Sequence, residues 1–246
     1  MAPSKNKTNP AKRLLAILHE AESSKAVVTL DVWKEVLRAE SEITTVLRLE
    51  WLDRQFEETE RQIRRIDDID HAYYLEGVTS LRKITSAKNF TRPWSEVKIA
   101  HLGGVPLRNL GFCSRELDRR GGEFKIEDET LKTLQKDVEA LLNEMLEADL
   151  PISLRDFIVR QLQTIKNAIV EYRLGGVAAL EQALESVVGA LILRKPELLR
   201  NKDKPGVKRL FQIVGKAFHV LQAVQTLLAL EGDAEKIIKL LTESGQ

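Results

Sequence analysis

Residues 127–176, EDETLKTLQKDVEALLNEMLEADLPISLRDFIVRQLQTIKNAIVEYRLGG, decide the fold. Leu131, Leu134, Val138, Leu141 and Met145 recur three and four residues apart. After Asp149-Leu150-Pro151 the spacing resumes at Leu154, Ile158, Leu162, Ile165, Ile169 and Tyr172. That period places one apolar stripe on each of two helices, and such stripes bury themselves against other helices. Ser153 and Asp156 stand at capping-box spacing where the second helix should start, with Asp in place of Glu. Gly175-Gly176 supplies the stop, because glycine tolerates the left-handed conformation that closes a helix. The expectation is an all-α fold, an antiparallel bundle of about eight or nine helices.

Outward from this hairpin the signals weaken. Towards the N-terminus, Asn9-Pro10 reads as a capped helix start carrying Leu14, Leu15, Ile17 and Leu18. Thr29 reads as the cap of a helix that turns Val32 and Trp33 inward. From Ser41 a long helix follows, with Leu49, Leu52, Phe56, Thr59, Ile63 and Ile66 on one stripe and mixed charges off it. A shorter helical piece carries Tyr74, Leu75, Val78 and Leu81. Pro93, Gly103-Gly104, Pro106 and Gly121-Gly122 then punctuate an irregular stretch, within which Pro106 can open a short helix. Phe124-Lys125-Ile126 has strand character but no evident partner. Residues 1–8 therefore read as a disordered basic tail and 9–85 as an N-terminal helical unit. Residues 86–126 read as an irregular connecting segment and 127–246 as a C-terminal bundle, the two units being separate or one domain.

Composition narrows the classes. Lys and Arg total 38 against 37 Asp and Glu, a net charge of +1, so bulk charge argues for no anionic partner. Aromatic residues are 5% of the chain, too sparse to favour a base-stacking surface. A single cysteine, Cys113, cannot form an internal disulfide, which fits a reducing, cytoplasmic setting. Met1–Thr8 is polar and basic and does not read as a secretory signal.

Few residues form a chemical constellation. Arg64 and Arg65 precede His71 with six and five residues between. This spacing resembles the arginine–histidine pair of the helical ribonucleases of the HEPN superfamily. The resemblance implies metal-independent RNA cleavage. Histidine would act as general acid or base towards a ribose hydroxyl, and Arg65 would steady phosphate charge. Asp67, Asp68 and Asp70 would crowd that site with negative charge. Helical di-iron sites need Glu-x-x-His twice; Asp68-x-x-His71 occurs once and in the wrong carboxylate, so neither a metal nor another cofactor is expected. Cys113 shares a helical face with Leu110 and Leu117 and reads as a core residue. No phosphate-binding glycine loop and no Gly-x-Ser-x-Gly elbow is present in the sequence.

The basic stretch 194–209 is the more informative feature. Arg194, Lys195, Arg200, Lys202, Lys204, Lys208 and Arg209 face only Glu197 and Asp203 in sequence. Arg200, Lys202, Lys204, Lys208 and Arg209 are the candidates for contact with phosphates of nucleic acid or anionic lipid. The helix behind them, 207–230, is apolar over most of its circumference, with a polar stripe at Gln212, Lys216, His219 and Gln222. It reads as a bundle core helix, with a membrane-active helix as the alternative. A short helix at Ala234–Leu241 would close the chain. Together these features indicate a non-enzymatic interaction protein, an accessory or regulatory subunit with a protein partner or self-association. A membrane effector working through 207–230 is the second expectation and a HEPN-like nuclease the third.

Overall fold

Asn9 caps the first helix as its residue type favours: its side chain accepts a hydrogen bond from Lys12 N at 2.9 Å. Its amide also donates to Ser114 O at 3.0 Å and Asp118 Oδ1 at 2.8 Å, so the cap is bonded to a distant helix. The structure, a computed structural model, describes residues 7–223. Most of the expected 1–8 tail, the end of the 207–230 helix and the expected closing helix at Ala234–Leu241 lie outside the described residues. The fold is all-α, with eleven α-helices among the described residues rather than eight or nine. The chain divides into two compact units: Met1–Glu123 with Arg173–Gly176, and Phe124–Tyr172 with Val177–Gln246.

In the first unit, helices α1 (Pro10–Ser23), α2 (Thr29–Val36), α3 (Glu42–Arg64) and α4 (His71–Arg82) come first. Two short 3-10 turns, Lys83–Thr85 and Ala87–Asn89, lead into α5 (Trp94–His101) and α6 (Gly104–Arg119). The stretch 86–126 is thus largely helical, a correction to the irregular segment expected from its glycines and prolines. Pro106 lies inside the first turn of α6, where its missing N–H costs no helical bond. Thr29 is the first residue of α2 rather than its cap, because its hydroxyl donates to Arg92 O at 2.9 Å. The core gathers Leu14, Ile17, Leu18, Trp33, Leu52, Phe56, Ile63, Leu81, Leu110 and Cys113, all at most 1% exposed. Burying each such large side chain contributes about 1.5–3 kcal/mol. Trp33 and Trp94 meet edge to face with ring centres 5.9 Å apart.

One buried polar group is deliberate. Arg13 donates through Nε and Nη2 to Gln55 Oε1 at 3.0 and 2.7 Å, and through Nη1 to Glu123 Oε2 at 2.5 Å. Burying a guanidinium is costly unless its donors are met in this way. Residues Lys7–Thr8 pair as a short strand, β1, with Glu123–Phe124, β2. Thr8 and Lys7 are thus ordered into a strand rather than tail, and Phe124 has the partner that the sequence alone did not offer.

In the second unit, α7 (Asp128–Glu144) and α8 (Ile152–Gly175) form the expected pair, although the last residues of α8 count with the first unit. Every apolar residue of both expected stripes is buried, from Leu131 to Met145 and from Leu154 to Tyr172. The Tyr172 hydroxyl accepts a bond from Ile126 N at 2.7 Å. The capping-box reading of Ser153 fails: α8 starts one residue earlier, and Ser153 Oγ bonds Glu197 Oε1 at 3.2 Å instead. Gly176 has φ +63°, the left-handed stop expected of it. Helix α9 (Val177–Leu193) follows. The expected linker carries a short helix, α10 (Lys195–Arg200), before α11 (Pro205–Gln222). Val207, Leu210, Phe211, Ile213, Val214, Ala217, Phe218 and Leu221 of α11 are buried in the core it shares with α7, α8 and α9.

Candidate functional site

The outward face of α3 changes character along its length. Residues 43, 46, 47, 50, 54, 57, 61 and 64 follow one another at helical spacing on that face. From Glu50 onward they are charged and tied into pairs: Arg54 with Glu50 at 2.6 Å, Arg61 with Glu58 at 2.5 Å and Arg64 with Glu60 at 2.7 Å. In the first two turns they are aliphatic. Ile43 is 76% exposed, Val46 48% and Leu47 58%. The inward residues of the same turns, Thr45, Arg48, Leu49 and Leu52, are buried.

These turns are held firmly. Ser41 caps α3, accepting from Thr44 N at 3.1 Å, and Thr45 Oγ1 donates to Ser41 O at 2.8 Å. Arg48 reaches back from α3 and donates to Leu37 O at 3.1 Å and to Arg38 O, fixing the chain where Arg38 takes φ +55°. An exposed apolar stripe on a well-anchored helix loses little backbone entropy when it binds, which favours recognition.

A groove of about 630 Å³ borders the stripe, lined by Val46, Leu49, Ala87 and Phe90 with Glu50, Asp53, Arg82 and Lys83 among its polar groups. Arg82 forms its wall: Nε and Nη2 donate to the two oxygens of Asp53 at 2.7 and 2.5 Å, and Nη2 also to Glu57 at 2.7 Å. These bonds, Asp53's above all, hold the guanidinium charged well above its ordinary pKa. The site therefore offers an apolar stripe and floor with a fixed charged wall.

The residues singled out by spacing have other roles. Arg65 is the exposed C-cap of α3, and His71 is the first residue of α4, with Nε2 2.6 Å from Ile66 O. Arg64 is paired with Glu60. Asp70 caps α4 through Tyr73 N at 3.2 Å. Asp68 accepts from Arg120 at 2.5 Å, and that bond lowers its pKa. The turn between α3 and α4 is thus organised by capping and ion pairing. Among the described residues no group of three or more His, Cys, Asp or Glu could hold a metal ion. Cys113 is wholly buried, its Sγ 3.5 Å from Tyr74 O, and burial pushes its thiol up to about 12. Burial, with the charges of Lys83 and Arg92, lowers the pKa of His101.

Much of the basic stretch is paired with acids, two of them distant in sequence and two within the stretch. Lys204 pairs with Asp149 at 2.6 Å, Lys208 with Asp203 at 3.5 Å and Arg209 with Glu144. Arg194 pairs with Glu197 at 3.1 Å and lies over the Phe157 ring, 5.0 Å from its centre. Arg200 is exposed and Lys202 half-buried. On α11 the polar stripe of Gln212, Lys216 and His219 is exposed, opposite the buried apolar face. Among the described residues no helix is long and apolar enough to cross a membrane.

The α3 stripe went unmarked by sequence reasoning, though a signal existed. Ile43 lies about 180° around the helix from Leu52 at 100° per residue, so both cannot face one core. No protein-family model matches the chain, and no curated protein or solved structure matches it either.

Proposed function

We propose that this chain is a non-catalytic interaction protein, an accessory subunit built as an antiparallel helical bundle that docks another protein onto α3. The observation that carries this reading is the run of Ile43, Val46 and Leu47, exposed on an anchored helix beside the groove floored by Leu49 and Phe90. Single exposed aliphatic residues are ordinary, but a contiguous set joined to a groove marks a protein contact. The charged wall of Arg82, Asp53 and Glu57 supplies the polar rim that such contacts carry.

The test is a comparison of the wild-type chain with Leu47→Glu in quantitative affinity capture from the native host, with melting curves for both. A stoichiometric partner that is lost in the variant, with the melt unchanged, supports the reading. A partner retained by Leu47→Glu at full occupancy places the contact elsewhere.

A further inference from the structure

Aromatic rings are few in this chain, yet three of them meet where α4 packs on α6. Tyr73 stacks on Phe112, with ring centres 6.0 Å and planes 27° apart, and meets Tyr74 edge to face at 5.8 Å. Tyr73 remains 51% exposed. Residues 108, 112, 115 and 119 follow one another at helical spacing on the outward face of α6, and Arg108, Arg115 and Arg119 are exposed there around Phe112. The Arg115 guanidinium lies over the Phe112 ring, 4.7 Å from its centre. Among the described residues neither Arg108 nor Arg115 has an ion-pair partner. Arg119 pairs with Glu116 at 3.3 Å while its side chain stays 78% exposed. Glu76 is the exposed acid of these two helices, and the arginines outnumber it. The rings are firmly held. Gly77 lets the helices approach so closely that a Cβ there would come within 2.6 Å of Asn109 Cβ, and the Asn109 amide donates to Tyr73 O at 3.3 Å. Beside Phe112 the face is open, since a Cβ on Gly111 would meet nothing within 4 Å.

We propose that this face binds a single strand of nucleic acid, a base stacking on the Tyr73–Phe112 pair and the neighbouring phosphates resting on Arg108 and Arg115. The proposal goes beyond the docking reading, because none of these residues lines the α3 site. Within a strand each base has a phosphate on either side, and here a cation stands one turn to either side of Phe112. Arg108 and Arg115 are about 10 Å apart along the helix axis, with Arg119 about 6 Å further on. Stacking platforms flanked by unpaired cations are how proteins hold single strands without reading sequence. A duplex keeps its base faces inside its own stack and offers the rings nothing to lie on. Contacts to base faces and phosphates do not depend on the sugar, so ribose and deoxyribose strands should both bind.

The experiment is fluorescence anisotropy on the full chain with labelled oligouridine and oligodeoxythymidine strands of about 12 nucleotides. Both should bind at low salt, and a duplex of the same length about tenfold or more weakly. Arg108→Glu with Arg115→Glu should abolish binding, and Arg115→Gln should lower the slope of log affinity against log salt by about 0.7. Tyr73→Leu should weaken binding about fivefold or more, while Tyr73→Phe, which keeps the ring, should bind as the wild type does. Lys202→Glu with Lys204→Glu should change nothing, and all variants should keep the wild-type melting temperature. The proposal is overturned if neither strand binds, if binding survives Tyr73→Leu at full strength, or if binding is lost on Lys202→Glu with Lys204→Glu in place of the arginine pair. It is overturned too if no strand binds and Tyr73→Leu instead loses a captured protein, which would make the face a protein contact. Leu47→Glu should bind the strands as the wild type does, so this proposal and the α3 docking reading fail separately.

Discussion

Two apolar helix segments of this protein meet opposite fates. On α11, Val207 to Leu221 is so apolar that its sequence admits a membrane role, yet its apolar residues are buried in the core shared with α7, α8 and α9. On α3, Ile43, Val46 and Leu47 look like the ordinary start of an amphipathic helix, yet they face solvent. The difference lies in the neighbours. Helix α11 has packed elements along its whole apolar face, so its hydrophobicity is consumed inside its own unit. The first two turns of α3 are covered on one side only, while their other side keeps aliphatic residues that no core requires. An apolar residue reveals a partner surface only after the molecule's own packing has been subtracted.

The largest effect that could break this contrast comes from α11. Val214 is 0% exposed, and Val214→Asp would bury a charge without a partner. A loss of about 3–5 kcal/mol is expected, enough to abolish a cooperative melt of the second unit. A variant that melts normally by calorimetry would mean the segment is peripheral.

Gly176→Ala comes next. Its φ of +63° strains any side chain, and a new Cβ would approach Arg13 Nη1 to 2.6 Å, disturbing the bonds to Gln55 and Glu123. A cost of about 1–3 kcal/mol is expected, read from denaturant midpoints at constant slope.

Cys113 sharpens the picture of the first unit's core. Its thiol is held at about 12 when folded against 9.0 as the reference, so between those values the unfolded chain has lost the proton that the folded chain keeps. Stability should therefore be insensitive to this group below pH 9 and fall above it, by at most about 1.4 kcal/mol per pH unit. In native protein near pH 8 the thiol should resist a thiol-specific reagent and react only as the first unit opens.

Smaller effects belong to the surface. Lys204→Glu beside Asp149 should barely move the melting curve, because exposed pairs are screened. If the stretch is as neutralised as its ion pairs imply, the wild-type chain should not sediment with anionic vesicles at physiological salt; sedimentation that Lys202→Glu with Lys204→Glu abolishes would return the basic stretch to consideration. Leu47→Glu should have the least effect on stability, within about 0.5 kcal/mol in the melting curve of the isolated chain. A large destabilisation would show that α3's outer face is part of a core after all.

Much of the second unit is legible in the residues themselves. The stripes of α7 and α8 are long and strictly periodic, the turn is marked by Asp149-Leu150-Pro151, and Gly176 ends the run. Local rules suffice there because each side chain's role follows from its position on its own helix. The first unit is less legible. Helices α5 and α6 lie in a stretch rich in glycine and proline, and those residues fall at starts and first turns, where they do little harm to a helix. The strand pairing of Lys7–Thr8 with Glu123–Phe124 joins residues more than a hundred positions apart, a contact that no local signal encodes.

The candidate site follows the same division. His71 and Arg65 draw attention by spacing, but His71 bonds Ile66 O and Arg65 ends a helix. The cations of 194–209 look unopposed in sequence because Asp149 and Glu144, which pair with Lys204 and Arg209, lie some fifty residues or more away. The α3 stripe is written in the sequence as aliphatic residues on two sides of one helix, but which side faces inward is a property of what surrounds it.

By itself, the sequence determined that this chain is helical, where its longest helices run and which residues form the stripes of α7, α8 and α11. Those properties follow from side-chain period and from glycine, proline and capping residues acting over a few positions. Only the tertiary structure decided that the basic stretch is paired, that α11 is a core helix over its described length, and that Ile43, Val46 and Leu47 are left uncovered. Burial and charge pairing are sums over neighbours brought together by folding, and a residue's own neighbourhood in sequence does not contain them.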